Sequence, residues 1–161
     1  MRPACMAATL LMLLLAPALP LAAEDIPLAS YWANSGSLPP QYAWDVTITI
    51  SEGGDTEIRY CTGYETEGPG CKTATARLDA AALAAIRQAA LASGLATSPA
   101  QEVPHPMVGG STRGGTVWLD KQKITLPAQP VATDVPRVQS VLDAIISALP
   151  EGLMARVMPG N

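Results

Sequence analysis

The stretch AWDVTITISEGGDTEIRYC, residues 43–61, decides the fold class. Trp44, Val46, Ile48 and Ile50 alternate with Asp45, Thr47, Thr49 and Ser51. That period of two is the mark of a strand with one buried face. Glu52-Gly53-Gly54-Asp55 interrupts it with a turn, and Ile58 and Tyr60 resume the alternation up to Cys61. Two such runs joined by a short glycine-bearing turn read as an antiparallel hairpin.

Downstream, the polar segment 62–70 lies between Cys61 and Cys71. Residues 72–77 are expected as a third strand, weakly marked because of their alanines. Leu78-Asp79 then opens an alanine-rich helix. Asp79 is an N-cap whose carboxylate accepts from the free amides of the first turn. Leu78 and Leu83 form a hydrophobic staple around it. Leu83, Ile86 and Ala90 share a face, and Gly94-Leu95 ends the helix. A second hairpin is expected from strands 116–119 and 123–126. A second helix starts at Thr133 or Asp134, with Val138, Val141, Leu142, Ile145 and Leu149 as its apolar stripe and Pro150 as its stop. The tail carrying Met154, Val157 and Met158 is left open between packing and fraying.

Upstream, residues 24–42 hold Pro27, Gly36, Pro39 and Pro40 without a sustained period, and read as an irregular leader. Residues 1–23 have the layout of a secretory signal peptide: Arg2, then an apolar run, Pro17 and Pro20, and small residues at Ala22-Ala23. The expected organisation is a signal segment at 1–23, the leader at 24–42 and one α+β domain at 43–161. Its fold is a single antiparallel sheet of four to five strands with both helices on one face, in the order ββ(β)α–ββα.

These features exclude several function classes. Fourteen acidic against ten basic residues, a net charge of −4, do not suit a binder of nucleic acid. Nothing after Ala23 is apolar enough for stable membrane insertion. One histidine and the two cysteines beyond the signal segment are too few for a self-contained zinc site, so no metal and no cofactor is expected. An even cysteine pair in an exported chain, periplasmic or secreted, reads as the disulfide Cys61–Cys71. Its nine-residue spacing is not that of a redox Cys-x-x-Cys pair.

Candidate functional residues cluster in loops. Segment 96–115 is long for a compact domain and rich in proline and glycine, so it is expected to be mobile. It holds His105, the sole imidazole, which a hydrolase would pair with distant carboxylates. Separately, Glu52, Asp55, Glu57, Glu65 and Glu67 make the first hairpin and its loop acidic: a carboxylate pair for glycoside hydrolysis, a calcium loop at Glu65 and Glu67, or a solvated face. As for metals, His105 with Met107, Met154 and Met158 would suit soft copper. Arg113 within Gly109-Gly110-Ser111-Thr112-Arg113-Gly114-Gly115 offers an anion cradle, or else a flexible turn. Tyr60 and Tyr64 beside the disulfide, with Tyr31 and Trp32, are candidate aromatic anchors for a protein partner. The binding set is Tyr60, Tyr64, His105 and Arg113, and no residue is assigned as catalytic. The leading reading is a non-catalytic exported domain that binds a protein partner or a small ligand.

The layout from Trp44 to Leu95 resembles the emfourin type of small α/β metalloprotease inhibitor, and exported proteobacterial proteins of unknown function. It has a strand, a Ser51-x-Gly53-Gly54 turn, a second strand, then Leu78-Asp79 opening a helix that closes on Gly94-Leu95. The resemblance covers about a third of the chain. It implies inhibitor-like protein binding, with no inhibitory residues carried over.

Overall fold

The computed structural model describes residues 26–158, so the expected signal segment lies outside it. The class is α+β, with a fully antiparallel sheet and two helices, but the sheet has six strands instead of four to five. In chain order they are β1 (Pro27–Asn34), β2 (Trp44–Ser51), β3 (Asp55–Thr62), β4 (Cys71–Arg77), β5 (Thr112–Leu119) and β6 (Gln122–Leu126). Helix α1 (Ala80–Ala92) follows β4, and α2 (Val135–Ser147) follows β6. Across the sheet the order is β4-β3-β2-β1-β5-β6.

The unexpected strand is β1, whose eight residues fall within the expected irregular leader. It sits between the β2–β3–β4 meander and the β5–β6 hairpin and joins them. Ala29, Tyr31 and Ala33 pair with Ile50, Ile48 and Val46 on one side, and with Val117, Gly115 and Arg113 on the other. A register shift between Pro27 and Ala29 lets the consecutive Leu28 and Ala29 both be buried. Tyr31 and Trp32 favour a strand but Pro27, Ala29, Ala33 and Asn34 do not, and pairing with a neighbour on each side completes the extended segment. Residues 71–77 form the expected third strand at the sheet edge, where lysine and arginine discourage further pairing.

One sheet face carries the core. Val46, Ile48, Ile50, Ile58, Val117, Ile124 and Leu126 meet Leu83, Ile86 and Ala90 of α1 and Val138, Val141, Leu142 and Ile145 of α2 in one buried cluster. Both helix stripes are therefore the ones that periodicity indicates. Asp79 caps α1 by accepting from the Ala82 amide at 2.8 Å. The tail packs: Leu153 and Val157 are each 1% exposed, and Met154 lies against the core.

Cys61 and Cys71 stand directly opposite each other on β3 and β4 and are bonded, with Cα atoms 4.0 Å apart. The bond pins the edge strand where the 63–70 loop would otherwise let it fray.

Candidate functional site

The long segment after α1 is not a uniform loop. Its first part is tied to α2 through one ion pair. Asp134 does not cap α2 with its side chain. Its carboxylate accepts from the Gln101 amide at 2.9 Å and from Arg137 Nη1 at 2.7 Å. Arg137 in turn donates from Nε to the Ser93 carbonyl and from Nη2 to the Ser98 carbonyl. The Gln101 amide, more than any other group, holds the Asp134 carboxyl below its ordinary value of 3.8; burial opposes the shift and Arg137 assists it. Beyond it, Val131 N bonds Gln101 O, and Val103 N bonds Gln129 O, a short antiparallel rung. Residues 96–103, expected as part of a mobile loop, are thus held by hydrogen bonds to 129–137.

The last part is not loop either. Thr112, Arg113, Gly114 and Gly115 belong to β5, paired to β1 with Gly115 also paired to Leu126 of β6. The ladder occupies backbone groups that an anion cradle would need, which removes both the cradle and the flexible-turn readings for 112–115. Arg113 itself bonds Asp143 of α2 at 2.9 Å, with both side chains substantially exposed.

What remains standing out is 104–111. At its tip Met107 is 81% and Val108 98% exposed. The backbone beneath them is nonetheless held. The Met107 amide donates to Gln129 Oε1 and its carbonyl accepts from Gln129 Nε2, both at 2.7 Å. On the far side Gly110 rests against Gly36, whose φ is +72°; a Cβ on Gly36 would overlap the Gly110 carbonyl. Asn34 Oδ1 fixes that neighbour by accepting from the Gly36 amide at 2.9 Å and from the Thr112 hydroxyl at 3.1 Å. Behind the loop lies a cavity of about 380 Å³ lined by Val103, Met107, Arg113, Pro130, Val138 and Leu142, among others.

The other candidates scatter. His105 is exposed on the same loop and has no hydrogen-bond partner among the described residues. Met107 shares the loop with it, whereas Met154 packs against the core. Among the described residues no group of three or more His, Cys, Asp or Glu side chains is arranged to hold a metal ion. Tyr60 is 7% exposed and stacks on Trp44, ring centres 6.4 Å apart, so it is a core residue and no surface anchor. Tyr31 is also buried. Tyr64 is 66% exposed, and its hydroxyl donates to the Leu38 carbonyl. Glu65 accepts from the Gly70 amide and so braces its own loop. Sequence reasoning missed Gln129 altogether: nothing local marks a glutamine whose two amide atoms match the backbone of a residue 22 positions away.

No family model and no curated protein matches this chain.

Proposed function

We propose that the protein is a non-catalytic, exported binding domain that presents residues 104–110 to a protein partner. The observation that carries this is the pairing of a highly exposed Met107-Val108 tip with a clamped backbone. Exposed apolar side chains on a mobile loop lose ordering entropy when they bind. The Gln129 bonds and the Gly36 seat meet that cost during folding, leaving the tip ready to bury its side chains in an apolar cleft. Pro104 and Pro106 stiffen the same segment. The Cys61–Cys71 bond supports an oxidising compartment, and no helix among the described residues is long and apolar enough to cross a membrane. An inhibitor-like role, with the tip entering a peptidase cleft, is the form of this reading that the emfourin-like layout favours.

A photo-crosslinking residue at position 108 tests it, with position 91 on α1, also exposed, as the control. Capture of one discrete partner from 108 alone is expected. Val108→Asp should weaken that complex while leaving the melting temperature unchanged. Gln129→Ala should speed hydrogen exchange at the Met107 amide and weaken binding by about tenfold, the equivalent of one to two lost hydrogen bonds. Equal crosslinking from 91 and 108 would refute the assignment.

A further inference from the structure

Among the described residues no helix packs on the second face of the sheet. Its side chains form a row that crosses all six strands: Thr75, Glu57, Thr49, Ser30, Thr116 and Thr125, each directly opposite the next. Adjacent strands lie about 4.8 Å apart, so hydroxyls recur at that interval on both sides of Glu57. Trp32 and Trp118 flank the row on opposite sides. Trp32 is paired with Gly114, and Trp118 lies four residues further along β5, about 13 Å away at strand rise. Gly114 has a clear role here: a Cβ would come within 2.7 Å of Trp32 Cζ2, so the indole lies down over β5. On the Trp118 side of the row runs a groove of about 620 Å³ walled by Trp118, Pro27 and the Asp55–Arg77 pair. It shares Ser30, Thr49 and Glu57 with a smaller cavity, about 320 Å³, on the other side of the row, lined by Trp32, Thr47 and Arg59.

Across the two adjoining cavities the charges balance, Asp55 and Glu57 against Arg77 and Arg59. Asp55 bonds Arg77 at 2.8 Å, and Glu57 and Arg59 point the same way from β3, two residues apart. This contrasts with a chain whose net charge is −4, and it favours an uncharged ligand. An apolar ligand would strand the hydroxyl floor without partners. Arg59 Nε is already a buried donor with no partner among the described residues. A tryptophan on either side, a band of hydroxyls between them and an exposed carboxylate are complementary to a sugar chain. The C–H faces of pyranose rings stack on indole, while their hydroxyls exchange hydrogen bonds with Thr, Ser and Glu.

We propose that this face binds a neutral glycan, laid from Trp118 across the Thr49–Ser30–Thr116 hydroxyls toward Trp32. The site is separate from the presented loop, which enters β5 at the end opposite Trp118.

Calorimetric and tryptophan-fluorescence titration of the full chain with cellohexaose, chitohexaose and maltohexaose tests the proposal. At least one should bind and quench fluorescence. Trp118→Ala and Glu57→Gln should each lower its affinity about tenfold, and Val108→Asp should leave it unchanged. Glu57 is exposed, so its variant reports on binding even where Trp118→Ala disturbs packing. Absence of binding by all three sugars at millimolar concentration would overturn the proposal. So would affinities unmoved by Glu57→Gln, or a dimer in sedimentation that Glu57→Gln dissociates, because the face would then belong to a second copy of the chain.

Discussion

Gly115→Ala should destabilise the protein by about 2 kcal/mol. Gly115 lies in β5 opposite Tyr31 of β1, and a Cβ there would fall on the Ser30 carbonyl oxygen while approaching Leu142 Cδ2 of α2 at 3.3 Å. Overpacking costs about 1–3 kcal/mol. The obstacle here is backbone in a central strand paired on both sides, so the upper end, about 3 kcal/mol, applies. Replacing a strand glycine returns about 0.5–1 kcal/mol of conformational entropy, which leaves the net figure. For a domain of this size the loss corresponds to a melting temperature lower by roughly 6–10 °C. In urea, with a slope of about 1.5 kcal/mol/M, the midpoint should fall by about 1.3 M at constant slope. Gly109→Ala is the control: nothing lies within 4 Å of its Cβ, and only its φ of +91° resists substitution, so about 1 kcal/mol is expected. A glycine in an unconstrained loop would instead gain about 0.4–1 kcal/mol on becoming alanine. A Gly115→Ala protein as stable as the parent, or more so, would refute the close approach of β1 to β5.

Two further outcomes are expected. Replacing Cys61 and Cys71 together by serine should cost about 2.5–3 kcal/mol, the loop-closure entropy of the segment they span, read from urea midpoints under oxidising conditions. Asp134 makes stability depend on pH: with its carboxyl held below 3.8, its contribution is complete above that value and fades as pH falls through the lower, folded-state pKa. Asp134→Asn should therefore be less stable than the parent at neutral pH, with the gap narrowing in acid; a gap that widens on acidification contradicts the Gln101 and Arg137 contacts.

Local patterns were enough for much of this protein. Residues 43–61 show their hairpin because side chains alternate about a strand axis whatever the strand pairs with. The helices show their stripes for the matching reason, and Asp79 announces its helix because a cap acts within one turn. The even cysteine pair indicated its own bond. What tertiary structure alone decided depends on partners distant in sequence. β1 is a strand because β2 and β5 close on it from both sides; its own residues, with Ala, Ser and Asn among them, carry no sufficient preference. Gly114 and Gly115 read as a loop because glycine ordinarily marks flexibility, yet here they leave room for the Trp32 indole and the Ser30 carbonyl. Asp134 read as a helix cap and instead anchors the segment 33 residues before it. The same holds for the candidate sites. Val108 is visible as an apolar residue in a loop, but its presentation comes from Gln129 and Gly36. The row from Thr75 to Thr125 exists only once six strands are in register, because a strand specifies which residues share its face and only its neighbours specify what lies beside them.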